Sequence, residues 1–236
     1  MSANEPICGY ANSKMIDESP RKIWDETWVS KHRVTPYECK WYTFLSRFIP
    51  KKRVLEAGCG SGRGLAVFSK SYAIGLDSSL NAIRLSQNNL RSHKNYDLIL
   101  GDVRYLPFKD ASFDLVFNSG VIEHLKPRED AVAAKEMLRV TEPKGTVVAS
   151  VPNLLCLWYM LGKYLSKLFG QWKYGFERAY TPSKLKCLFH EAGLTTIQFC
   201  GILLFPLPLL DNLGEKFKFL ESFCYAIVIV GRKIES

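Results

Sequence analysis

The chain has 236 residues, 47% of them hydrophobic and 23% charged, an ordinary globular composition that excludes a disordered tail protein, a collagen and a disulfide-dense mini-domain. Lys and Arg outnumber Asp and Glu by 32 to 23, and the net charge of +9 is spread along the chain; a solvated basic surface explains it, and it also suits an anionic substrate, nucleic acid or a membrane face. Seven cysteines without a CxxC pair argue against a disulfide framework and a zinc site and fit a reducing cytoplasm.

Residues 1–22 are polar, and the first fourteen hold no apolar run of the kind a signal peptide needs. Residues 1–50 read as a helical cap region, in which 23–48 look helical with Trp24, Trp28, Trp41, Phe44, Leu45 and Phe48 as apolar points. From residue 51 onward strand and helix signals alternate. Strands are predicted at Arg53–Ala57, Tyr72–Leu76, Tyr96–Leu100, Phe113–Asn118 and Gly145–Val151, the last after a Pro143-Lys144-Gly145 turn. Helices are predicted at Gly64–Ser71, Leu80–Arg91 and Arg128–Val140. Such alternation implies an α/β fold with a parallel sheet covered on both faces.

The pattern changes after Pro152. An aromatic-rich insert at 153–180 is followed by a helix that Thr181 caps, Pro182 opens and Gly193 ends. Leu194–Cys200 and Tyr225–Val230 read as the last strands. Neither Leu154–Gly170 nor Ile202–Leu210 supplies the ~20 clean apolar residues of a membrane span.

Chemistry concentrates at the ends of the predicted strands. Val54–Gly62 places Gly58, Cys59 and Gly60 between a strand and a helix, where glycines allow a tight turn and close backbone approach to a ligand. A dinucleotide fingerprint is disfavoured, because its third glycine position holds Arg63. Asp77 follows Gly58 by 19 residues at the end of the second strand, where a carboxylate can accept both hydroxyls of a ribose; capping of the next helix by Asp77 or Ser78 is the structural alternative. Asp102 follows the third strand and can accept from an adenine amino group, whereas the Gly-Asp dipeptide taken alone reads as a turn. Asn118–Gly120 ends the fourth, beside the first, in the crevice where open α/β sheets bind ligands.

These motifs, VLEAGCGSG, GLDSS, GDVRYLPFKDASFDLVFNSGVIEHL and EMLRVTEPKGTVVASVPN, together resemble the class I S-adenosylmethionine-dependent methyltransferases, most of all the small-molecule (type 11) group that includes ubiquinone and menaquinone biosynthesis enzymes. The resemblance implies a Rossmann-like, seven-stranded, mostly parallel sheet with its last strand antiparallel, helices on both faces and a helical cap. The methyltransferase domain would be 51–236, with 153–180 as an acceptor-site or lid insert. It implies S-adenosylmethionine as cofactor and S-adenosylhomocysteine as product. Gly58, Cys59 and Gly60 would pack on the methionine portion, with Glu56 near its amino group. Asp77 would hold the ribose, with Ser78 beside the adenosine. Asp102 and Val103 would contact adenine, and Asn118 would offer its carbonyl to the methionine amino group.

Cys59 is ordinary in such a loop and is not expected to be a nucleophile. No metal cluster is expected. His124 is the candidate base, with a structural His as the alternative. In the insert, Leu154, Trp158, Leu161, Leu165 and Leu168 form a helical stripe with Lys163 and Lys167 on another side. That helix suits packing on the domain, a lid over a hydrophobic acceptor, or peripheral membrane contact through 154–169. The acceptor expected is a small, hydrophobic, aromatic or lipid-like molecule, methylated on O or C. A nucleic-acid acceptor is disfavoured because Asn118-Ser119-Gly120-Val121 lacks a base-clamping Asn-Pro-Pro-Tyr motif. A protein acceptor, or a cofactor-binding subunit without catalysis, are the remaining alternatives. The expected location is cytoplasmic or membrane-peripheral.

Overall fold

Adjacent residues of a strand point to opposite faces of a sheet, and strands buried on both faces are therefore apolar throughout. That rule organises this molecule. A computed structural model describes residues 18–29, 34–203 and 218–233. Seven strands, β1 (Arg53–Ala57), β2 (Tyr72–Asp77), β3 (Tyr96–Leu100), β4 (Phe113–Ser119), β5 (Thr141–Pro152), β6 (Leu194–Ile202) and β7 (Ala226–Lys233), form one sheet in the order β3-β2-β1-β4-β5-β7-β6. Only β7 runs antiparallel to its neighbours, pairing with both β5 and β6. This is the expected class I methyltransferase arrangement.

The helices are α1 (Glu18–Thr27), α2 (Pro36–Leu45), α3 (Arg63–Ala66), α4 (Leu80–Leu90), α5 (Glu129–Val140), α6 (Leu157–Leu168) and α7 (Pro182–Glu191). Two apolar layers flank the sheet. Leu55, Val116 and Val147 pack with Met137 and Phe189 on one face, whereas Val54, Leu115, Phe117 and Val148 pack with Trp41, Phe44 and Phe68 on the other. Among the described residues no helix is long and apolar enough to cross a membrane.

The helical residues expected over 23–48 form α1 and α2. The second starts at a capping box, in which the Thr35 side chain accepts from the Glu38 N–H and the Glu38 carboxylate accepts from the Thr35 N–H. Two expectations are corrected. The helix predicted over Gly64–Ser71 is a single turn. Pro143-Lys144-Gly145 does not precede the fifth strand: it lies inside β5 as a bulge, where the register against β4 slips and Lys144 adopts φ +63°. At the C-terminal side, Thr181 accepts from the Lys184 N–H and Gly193 ends α7 at φ +103°, as the sequence indicates. Of the apolar stretch 202–210, residues 204–210 lie outside the described residues.

The base of the 153–180 insert is closed by backbone. Tyr180 donates its N–H to the Pro152 carbonyl at 3.0 Å and accepts from the Leu154 N–H at 2.8 Å. The Tyr180 hydroxyl donates to Asp130 on α5 at 2.6 Å, and Arg178 pairs with the same carboxylate. Residues 153 and 180 therefore meet beside β5.

Candidate functional site

A cavity of about 360 Å³ opens at the carboxyl ends of β1, β2, β3 and β4, the ligand edge of an open α/β sheet. Its floor is the turn from β1 to α3. Gly58, Gly60 and Gly62 all have positive φ, so any other residue would be strained there. Space is restrictive too. A Cβ on Gly58 would stand 2.5 Å from Val121, and one on Gly60 would stand 2.6 Å from the Trp28 ring.

The loop is held by two buried carboxylates. Glu56, on β1, accepts from the Leu65 N–H at 3.1 Å and so caps the short α3; burial holds its pKa well above the ordinary value. Asp77, at the end of β2, accepts from the Gly60 N–H at 2.8 Å and the Ser79 N–H at 2.9 Å, and burial raises its pKa to about 6. Each carboxylate oxygen keeps a second lone pair, so Asp77 can fix the loop and still receive a hydroxyl donor.

Asp102 and Val103 line the cavity at the end of β3. The Asp102 carboxylate is engaged by Arg104, whose guanidinium also reaches Glu129 at 2.6 Å. Ser78 lines the wall beside Asp77. Cys59 is buried, its Sγ 3.7 Å from the Ser86 hydroxyl, and burial pushes its thiol pKa well up, consistent with an inert packing residue.

Asn118 stands apart from the other expected residues. It is fully buried, its amide donates to the Met137 sulfur at 3.2 Å, and it does not line the cavity. The pleat sends its side chain to the α5 face, and Ser119 and Gly120 take the cavity wall instead.

The roof comes from elements that the strand-end motifs do not reveal. α1 contributes Arg21, Ile23 and Trp24, and Trp28 follows just after it. Asp25 ties α1 to the start of α4 by accepting from the Ser79 hydroxyl at 2.6 Å and the Asn81 N–H at 3.3 Å; the Asn81 amide donates to the Asp25 carbonyl at 2.9 Å. α2 contributes Tyr37, whose hydroxyl lies 2.6 Å from the Ser119 hydroxyl and 2.8 Å from that of Ser150. Burial raises its pKa to about 12. The insert contributes Tyr174 and Phe176.

His124 joins these pieces. Its Nδ1 is 2.9 Å from the Phe176 carbonyl, which fixes the tautomer with hydrogen on Nδ1, and its ring meets Trp24 edge-to-face at 4.7 Å. Burial pushes its pKa down to about 4, so the imidazole is neutral at physiological pH and weakly basic. Its neighbour Glu123 is buried, and burial raises that carboxyl to about 8.

The helical stripe expected to pack or to line an acceptor pocket does neither. Trp158, Leu161 and Leu165 are exposed, and Lys163 is the residue that α6 buries. Its ammonium donates to the Glu177 carboxylate at 2.7 Å and to the Glu177 carbonyl at 3.0 Å. The insert therefore reaches the cavity through its aromatic return segment, not through its helix.

Residues 55–149 match the family model described as a methyltransferase domain. A Staphylococcus aureus demethylmenaquinone methyltransferase is 31% identical over 168 residues, covering 62% of this chain and 69% of that protein. The ubiquinone biosynthesis O-methyltransferase of Thiobacillus denitrificans is 27% identical over 203 residues, covering 81% of this chain and 86% of that one. Other relatives match over less of their length. An Encephalitozoon cuniculi protein with a methyltransferase name is 38% identical over 110 residues, 46% of this chain and 49% of its own. A Mus musculus protein named as a tRNA methyltransferase is 32% identical over 109 residues, 46% of this chain and 23% of its own. This chain thus spans about half, or less, of the length of those two. The N-methyltransferase NodS of Bradyrhizobium japonicum, solved with S-adenosylhomocysteine, superposes with a TM-score of 0.67 at 13% identity, covering 92% of this chain and 99% of that one.

Proposed function

The chain belongs to the S-adenosylmethionine-dependent methyltransferases, and from that premise we propose that it transfers a methyl group to oxygen or carbon of a small, ring-bearing, hydrophobic acceptor. The observation that carries this reading is the continuity of one cavity. Its lining joins the glycine turn, Asp77, Asp102 and Val103 to Trp24, Tyr37, His124, Tyr174 and Phe176.

The residues fit the cofactor. The space that a Cβ at Gly58 or Gly60 would take is already filled, so only bare backbone can approach a ligand at this turn. Asp77 would hold the ribose hydroxyls while continuing to fix the Gly60 N–H. Asp102 and Val103 would face the adenine, with Arg104 holding the Asp102 carboxylate in place. Glu56 would lie on the methionine side. When bound, S-adenosylmethionine supplies a methyl group on a positively charged sulfur, already activated for displacement.

The task left to this chain is alignment, exclusion of water and disposal of one proton. Aromatic faces at Trp24, Tyr174 and Phe176 suit a flat ring and leave it few polar competitors. His124, with Nδ1 committed to Phe176 and Nε2 3.9 Å from the Glu123 carboxyl, would take the proton of an acceptor hydroxyl at Nε2. Its low basicity keeps it unprotonated at neutral pH.

Sequence likeness supports a small acceptor. An alignment covering 81% of this chain, as with the ubiquinone biosynthesis enzyme, must include the 153–180 insert, whereas the tRNA methyltransferase match covers 46%. The net charge of +9 favours a nucleic-acid acceptor as the second reading. One experiment separates them: incubation with methyl-labelled S-adenosylmethionine and either a panel of catechols and quinols or bulk tRNA. Label in the organic-extractable phenols is expected. Label in tRNA alone would replace this reading with the second.

A further inference from the structure

Helix α6 is built inside out. Its one buried side chain is Lys163, held by Glu177, while Leu157 is 81% exposed, Tyr164 64% and Leu168 63%. At 100° per residue, Leu157, Leu161, Tyr164, Leu165, Leu168 and Trp158 fall on one continuous outward face, and Phe169 extends it at 69% exposed. A Cβ on Gly162 would meet nothing within 4 Å. Single exposed leucines are normal, but a contiguous stripe of this kind marks an interaction surface.

The chemistry around the stripe selects its occupant. From residue 154 to 176 there is no Asp or Glu, and the charges are Lys163, Lys167 and Lys173. Lys163 is neutralised by Glu177, which leaves Lys167 and Lys173, both exposed, at the end of the helix. The face therefore combines Leu, Trp, Tyr and Phe with flanking positive charge, on a chain of net charge +9. Its shape is convex and small. A helix of 12 residues is about 18 Å long and about 10 Å wide, a footprint of ~200 Å², against the ~800 Å² each partner gives to a stable protein interface. A fluid surface needs no complementary groove, and an amphipathic helix with cationic flanks can lie in its plane.

We infer that α6 is an interfacial helix that docks the protein on the surface of an anionic phospholipid bilayer. The inference stands apart from the acceptor reading, because it concerns a face outside the cavity. The two meet at the insert. Glu177, which holds Lys163 of α6, adjoins Phe176 of the cavity wall, so a docked helix would set the cavity roof against the lipid.

The test is co-sedimentation of the full chain with phosphatidylcholine vesicles and with 3:1 phosphatidylcholine:phosphatidylglycerol vesicles. The same measurement is made on the double variant Leu161→Glu, Leu168→Glu. Both positions are exposed, so the variant is expected to keep the wild-type circular dichroism and thermal midpoint. Wild type is expected to pellet with the anionic vesicles, less so at high salt, and the double variant to partition at least ~10-fold less. Wild type remaining in the supernatant with anionic vesicles would overturn the inference, as would equal pelleting of the variant. Light scattering that shows a dimer of the wild type and a monomer of the variant would assign the face to a second copy and also overturn it.

Discussion

The floor and the roof of the cavity are built on opposite principles. The floor is local. Gly58 and Gly60 follow β1 and Asp77 ends the adjacent parallel β2, and the Gly60 N–H to Asp77 bond joins the two strand ends. The roof is non-local. Trp24 meets His124 across a hundred residues, and His124 in turn holds Phe176. Strand geometry dictates the floor, whereas aromatic packing between distant segments assembles the roof. On the proposed reading the floor takes the cofactor and the roof takes the acceptor.

The largest effect is expected where the two regions touch. Gly60→Val puts a branched side chain at φ +50° and into the Trp28 ring, and should lower affinity for S-adenosylhomocysteine by ~100-fold or more. Adding Trp28→Ala should restore part of that loss by removing the clash but not the backbone strain. Additive losses in calorimetry would show that floor and roof are uncoupled.

Next in size is a pH effect beneath the roof. Burial raises Glu123 to about 8, above its value of about 4.5 in the unfolded chain. The folded state then holds a proton that the unfolded state releases, so Glu123 contributes stability that is full below pH 4.5 and is lost as pH rises to about 8. Glu123→Gln should flatten denaturant stability across that window and raise it at pH 8 by about 2 kcal/mol or more. An unchanged pH slope would place the shift elsewhere.

A smaller, more selective change should come from Trp24→Ala. It removes the edge contact with His124 and one wall of the cavity where the acceptor is proposed to bind. The acceptor KM should rise ~10-fold while S-adenosylhomocysteine affinity changes ~3-fold or less. A larger effect on the cofactor would make Trp24 part of the floor. Smallest is Asn81→Ala, which leaves the Asp25 carbonyl without its 2.9 Å donor and should cost about 1 kcal/mol of stability in chemical denaturation.

The same contrast explains what could be read from the sequence. Asp77 and Asp102 were legible because a residue just past a parallel strand must lie at the ligand edge. At the end of β4 the motif identifies the strand end, and the pleat decides that the side chain of Ser119, next to Asn118, lines the cavity. Trp28 and Tyr37 were invisible as site residues, since nothing local in 23–48 says which strand ends they will cover. Thr35 and Glu38 did carry a signal, a capping box that divides that helical stretch. Lys163 decides among the readings of α6, because hydrophobic periodicity defines a face without saying which way it points. A buried lysine needs a buried acid, and Glu177 lies fourteen residues away across the insert.

The measurement that bears most directly on the account is calorimetric titration of S-adenosylhomocysteine into the wild-type chain and into Asp77→Ala, with circular dichroism to establish that both are folded. The variant loses a buried acceptor that both fixes the Gly60 turn and faces the cavity. Binding by the wild type and an affinity at least ~10-fold lower in the folded variant are the predicted results. A folded wild type that does not bind, or a variant that binds equally well, would contradict the placement of the cofactor at this sheet edge.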